Sequence, residues 1–201
     1  MKIKTAWEIA LERTESIKSD KTTIEQFEAR QNGRKTANDF LDCAIGKNEK
    51  SKTIIEEALK KVSKEQRQTF KTGVFETLIS RLNLPSSKDD MKTLDAVGNG
   101  LQHIINDTRL NNAFRQFKDI ISRYLDDVEQ YEQAIKQQYA PRLRQKEAEL
   151  SKRMGQQVRI DPFQDPEFSA FYKQNMDTLR RKYQSFIDQI RQDAETAFNK
   201  Q

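Results

Sequence analysis

One histidine, one cysteine and three pairs of adjacent carboxylates are the groups from which this chain could build a reaction centre. A general base needs a positioned proton acceptor, and His103 is the only histidine; it precedes Ile104 and Ile105, the setting of a core-edge or surface residue. Cys43 has no histidine near it in sequence to take its proton, so it reads as a buried, inert thiol. Zinc needs several ligands, and no Cys/His spacing supplies them. Paired carboxylates do acid–base work when they converge on one pocket. Glu56-Glu57, Asp89-Asp90 and Asp126-Asp127 are immediate neighbours, which point to different sides of a helix. No glycine-rich loop follows a strand to cradle a phosphate. The expectation is a non-catalytic protein with no metal and no cofactor.

Binding is the chemistry that remains. The segment Gly155–Pro166 carries Val158, Ile160 and Phe163 among Asp161, Asp165 and Glu167. Either the apolar side chains fold back to close the end of a helical hairpin, or they form a tip that touches a protein partner. Beside them, Pro141–Ile160 holds Arg142, Arg144, Lys146, Lys152, Arg153 and Arg159 against Glu147 and Glu149, a net of +4. Arg180, Arg181 and Lys182 follow on the opposing helix. Solvated helix arms account for such charge; the alternative is an RNA or ribosome contact, which would be strongly salt-dependent. The basic stretch has no interleaved aromatics of the kind that stack on bases.

Two long helices must position these residues. Apolar residues fall at Phe114, Phe117, Ile121, Tyr124, Val128, Tyr131 and Ile135, alternating by three and four, and again at Met176, Leu179, Tyr183, Phe186 and Ile190. A mean spacing of about 3.5 residues is the seam of a left-handed coiled coil. With the connector 155–166 between them, the two seams predict an antiparallel hairpin over 107–201. Pro141 and a run of four-residue steps predict a kink near Tyr139–Arg142. The stripe Phe114, Phe117, Ile120, Ile121, Tyr124 and Leu125 is wider than one helical partner needs, so a second copy of the chain is a candidate to cover part of it.

Residues 1–106 read as a small helical domain. Thr5 with Glu8 and Thr22 with Glu25 look like capping boxes opening two successive helices, the first anchored by Trp7. Gly33 marks either a break or a close helix crossing, and Gly46 an end. Thr53 and Ser63 open two further helices. The second carries Phe70, Val74, Phe75, Leu78, Ile79 and Leu82, the densest apolar face in the chain. A last helix from about Lys88 contains Gly98 and Gly100.

The totals agree with an elongated helical shape. Hydrophobic residues make up 35% of the 201 and charged residues 33%, leaner than a compact globule but sufficient for a narrow buried stripe. Opposite charges are interspersed, and the net is only +5. A lone cysteine and a polar N-terminus favour a reducing cytoplasm. No stretch approaches the ~20 apolar residues of a membrane span.

The opening Lys4-Thr-Ala-Trp-Glu-Ile-Ala-Leu-Glu-Arg13, the turn Leu82-Asn-Leu-Pro85 and the connector Ile160-Asp-Pro-Phe-Gln-Asp-Pro-Glu-Phe168 resemble those of an uncharacterised family of bacterial helical proteins. The resemblance implies a bacterial cytosolic protein with no known activity, and it lends no functional residues. Taken together, the residues predict an all-α adaptor or scaffold that binds a protein partner through its hairpin.

Overall fold

The computed structural model describes the backbone of residues 6–46 and 51–200, and the side chains of residues 22–46, 51 and 53–200. The readings placed on Thr5 and on the Trp7 side chain lie outside the described residues. All regular structure among the described residues is helical: α1 (Ala6–Ile45), α2 (Ser51–Lys61), α3 (Arg67–Ser80), α4 (Asp90–Ile104), α5 (Thr108–Ser122), α6 (Tyr124–Met154) and α7 (Pro166–Asn199), with a 3-10 turn at Pro162–Gln164. The protein is all-α. The chain divides into two compact units, one of Met1–Leu82, Lys92–Asn111 and Thr196–Gln201, the other of Asn83–Met91 and Asn112–Glu195.

In the first unit, α1 is one helix of 40 residues rather than two. Thr22–Glu25 therefore lies inside it and opens nothing. A capping pattern marks a permitted start, but no glycine or proline stands before Thr22 to stop the preceding turns. Gly33 does not break α1 either. A Cβ there would lie 2.2 Å from the carbonyl oxygen of Phe70, and one at Gly73 would lie 2.1 Å from that of Arg30. Two helices thus touch backbone to backbone, which only residues without a side chain permit.

Around that crossing, Ala29, Ala37, Phe40 and Leu41 of α1 are buried, as are Phe70, Val74 and Leu78 of α3. Glu76 of α3 locks it from outside, accepting hydrogen bonds from Arg30 and, at 3.0 Å, from Arg34 Nη2. The Arg30 hydrogen bond holds the Glu76 carboxyl below its usual range. α4 runs unbroken through both of its glycines, and Gly100 lets Leu78 and Phe40 approach. Ser63 opens no helix: α3 begins at Arg67, after a Gln66 whose side chain makes no cap. Phe75 of α3 stacks on Phe198, with ring centroids 4.4 Å apart.

In the second unit, the long helix expected from Asp107 to Met154 is two helices, and the break falls at Arg123 rather than at Pro141. Arg123 N–H bonds back to Ile120 O at 3.2 Å, an i→i−3 step that tightens the end of α5, while its own carbonyl accepts from Asp127. Asp126 and Asp127 then sit in the first turn of α6, where negative charge suits the helix dipole. The Tyr183 hydroxyl donates to Asp127, and burial, followed by that hydrogen bond, pushes the phenol up to about 12. Helix α6 continues through Pro141, which is exposed, as is Gln137, whose carbonyl loses its N–H partner to the proline and faces water instead.

Phe114, Phe117, Ile121 and Tyr124 are all buried across the break, so the apolar face survives it. Along α7 the buried line runs Phe168, Met176, Tyr183, Ile187, Ile190, Ala194. Ile187, fully buried, takes the place expected for Phe186, which is only half-buried.

The glycine crossing makes the sign of a substitution predictable. On an exposed helix Gly→Ala stabilises by about 1 kcal/mol. Gly33→Ala or Gly73→Ala should instead destabilise by about 1–3 kcal/mol through overpacking against an unyielding carbonyl. Urea unfolding of the full chain reads the difference; a rise in midpoint for either variant would refute the backbone contact.

Candidate functional site

The connector 155–166 is built by short-range hydrogen bonds. Gly155 ends α6 in the left-handed region, φ +67°, and its N–H caps Ser151 O at 3.0 Å. From there the chain returns along α6. Ser151 Oγ accepts the Val158 N–H at 2.9 Å and Glu147 Oε1 accepts that of Ile160 at 2.9 Å. Asp161 caps the 3-10 turn through the Phe163 N–H at 3.0 Å, and Ser169 Oγ donates to Phe163 O at 2.9 Å.

Asp165 closes the arrangement. It is the one charged residue buried among those described, 5% exposed. Its Oδ1 accepts the Glu167 N–H at 3.0 Å, capping α7, with Pro166 in the first helical position. Lys146 Nζ of α6 lies 2.9 and 2.8 Å from its two oxygens and 2.9 Å from Glu167 Oε2. The Tyr139 hydroxyl also bonds to Asp165, at 3.1 Å. These contacts hold the Asp165 and Glu167 carboxyls below their usual range, the Lys146 hydrogen bond leading in both cases. They hold the Lys146 ammonium well above its own, led by the hydrogen bond to Asp165. Burial first, and the bond to Asp165 second, raise the Tyr139 phenol.

Beneath this polar lock sits an aromatic cluster. Tyr139 meets the ring of Phe168 edge to face, centroids 5.2 Å apart, and Ile135 and Met176 are buried beside them. Phe163 leans on Phe168 and Tyr172 at 5.3 and 5.2 Å, with Lys136 over its ring at 5.4 Å, yet remains 48% exposed. Val158 and Ile160 are half-buried.

A cleft of about 310 Å³ opens between the end of α6 and the returning connector. Its α6 wall is Lys146, Glu149, Leu150 and Arg153, one helical face, and Ile160 and Pro166 stand opposite. Of the cations singled out in sequence, Lys146 is held by Asp165 and Glu167. Arg142, Arg144, Lys152, Arg153 and Arg159 take part in no ion pair among the described residues. Arg180 and Arg181 bond within α7, to Asp177. They and Lys182 lie at the level of Tyr183, which meets Tyr124 at 4.9 Å, roughly 20 Å along α7 from Phe168. They are not part of the connector surface.

His103 Nδ1 stands 3.1 Å from Glu56 Oε1 and its ring edge meets Phe40, a core-edge placement. Cys43 is half-buried and free. No group of metal-binding side chains occurs among the described residues, and none of their helices is long and apolar enough to cross a membrane. In sequence Asp165 stood only among the acidic residues of the connector. Its pairing with Lys146, 19 residues earlier, left no local signal.

The architecture and the connector define the class, an all-helical protein with an ordered, partly apolar connector surface. The chain belongs to DUF6657, a family of unknown function, which it matches over residues 56–196; this agrees with the resemblance to an uncharacterised family. No curated protein and no solved structure matches it.

The lock should show in the acid stability of the protein. Carboxyls depressed in the folded state stabilise it above the ordinary carboxylate range near 4, and lose that contribution as pH falls through their lower folded values. Lys146, raised, contributes fully below its unfolded value near 10 and loses its share only at higher pH. Asp165→Asn should therefore lower Tm by several degrees at neutral pH, and its curve should converge on the wild type's in acid. A constant offset down to pH ~2 would mean the carboxylate charge is not what stabilises this end.

Proposed function

We propose that this protein is a non-catalytic cytoplasmic adaptor or scaffold that holds a protein partner at the end of an antiparallel coiled-coil hairpin formed by α6 and α7. The order of the contacts supports the hairpin: Tyr124 meets Tyr183, while Tyr139, further along α6, meets Phe168, earlier on α7. The observation that carries the binding role is apolar exposure on a hydrogen-bonded connector. Phe163 on the connector is 48% exposed, and Leu150 and Met154 at the adjoining end of α6 are 37% and 59% exposed. An apolar surface kept in place by capped helix ends loses little entropy when it is covered.

The five cations near the connector that take part in no ion pair among the described residues favour one second reading, an RNA- or ribosome-associated factor. Nuclease separates the two. Chemical crosslinking and mass spectrometry in cells of the native host should capture a stoichiometric protein that survives nuclease and is lost when Val158, Ile160 and Phe163 become serine. Capture of RNA alone, removed by nuclease and by moderate salt, would transfer the function to the cations.

A further inference from the structure

The first unit holds a cavity of about 510 Å³ between α1, the start of α2 and α4, a volume ordinary for a small-molecule site. Phe40 and Ala44, one turn apart on α1, supply its apolar wall. Asn99, Gln102 and His103 supply another, and residues three and four apart share one face of α4. Ser51, the first residue of α2, adds a hydroxyl. No carboxylate, lysine or arginine lines the cavity.

Glu56 decides how the imidazole is presented. It stands on α2 outside the cavity lining, and its Oε1 lies 3.1 Å from His103 Nδ1. A carboxylate can only accept, so Nδ1 carries the proton, and in the neutral ring Nε2 keeps a lone pair. The Phe40 ring, edge to face with His103 at 6.0 Å, holds the imidazole from the core side. Nε2 has no hydrogen-bond partner among the described residues, and the side chains of Ser51, Asn99 and Gln102 have none either. The cavity therefore offers one oriented acceptor beside two carboxamides, each of which both donates and accepts.

We infer that this cavity binds a small uncharged molecule bearing a primary amide. The ligand N–H donates to His103 Nε2, its carbonyl accepts from the Asn99 or Gln102 carboxamide, and its apolar body lies against Phe40 and Ala44. A carboxylate in the same place would set its own lone pairs against that of Nε2. An ammonium would find no carboxylate in the lining to offset its desolvation, since Glu56 is at the other ring nitrogen. The inference goes beyond the adaptor reading and is independent of it, because the residues of that reading lie in the other unit.

The test uses the untagged, nitrogen-15-labelled full chain at about pH 8, above the ordinary histidine range. His103 is the only histidine, so its two ring nitrogens are read by NMR without ambiguity. The free protein should show the proton on Nδ1. Acetamide, benzamide and nicotinamide are then titrated, each against its acid (acetate, benzoate, nicotinate), with benzylamine as the cation. At least one amide should shift the Nε2 signal saturably, and its acid and benzylamine should bind at least about tenfold more weakly. Gln102→Leu should weaken that amide at least about threefold, and His103→Phe should abolish its saturation-transfer signal. Gln102 is exposed, and an unchanged Tm and helical circular dichroism show that each variant is folded. The inference is overturned by a free ring protonated on Nε2, or by amides that leave Nε2 unmoved. Equal or tighter binding of an acid or of benzylamine, or binding indifferent to Gln102→Leu, overturns it as well.

Discussion

A buried carboxylate must find its partners or not be buried, and Asp165 is where that constraint acts on this protein. Its oxygens take up the Glu167 N–H, the Lys146 ammonium and the Tyr139 hydroxyl together. Sliding α7 by one turn along α6 would separate Asp165 from Lys146 and Tyr139, leaving a desolvated charge, so the cluster sets the register of the two helices as well as joining them. The connector hydrogen bonds can close only because that register places Ser151 and Glu147 opposite Val158 and Ile160. Phe168, completely buried, is seated by the same offset.

The first unit meets its constraint by subtraction. Gly33 and Gly73 remove side chains where α1 and α3 cross, and the buried Ala29 and Ala37 keep the rest of that face small. Close approach lets Phe40, Phe70, Val74 and Leu78 interdigitate in a chain with little apolar material to spend. Charge then orients what packing has brought together, with Glu76 gathering Arg30 and Arg34 at the margin.

Charge is used differently at the connector. Lys146 belongs to the fold, consumed by Asp165 and Glu167, while Arg153, seven residues on and on the same helical face, takes part in no ion pair among the described residues. Tyr139 and Leu150 divide the same face in a similar way, the first buried against Phe168 and the second exposed.

Helical character was legible from periodicity alone, because an apolar stripe at three- and four-residue steps serves no other element, and Phe114, Phe117, Ile121 and Tyr124 are buried as their spacing requires. The connector 155–166 was legible too, since a glycine that ends one helix and a proline that opens the next answer a local demand of the backbone. Helix boundaries between those points were not. Thr22–Glu25 could have opened a helix, but a capping pattern only permits a start, and Pro141 lies within the continuous α6, its orphaned carbonyl left to water. Arg123 carries no breaker residue, and the chain tightens there in a structure where Tyr183 of α7 bonds to Asp127 in the following turn. What the sequence by itself determined is therefore the helical fold, its apolar faces and its ends, all properties of neighbours along the chain. Which carboxylate is buried, which lysine is spent on it and where a cleft opens were decided only by tertiary structure. Those depend on pairs such as Lys146 and Asp165, whose attraction acts only after distant turns have been packed side by side.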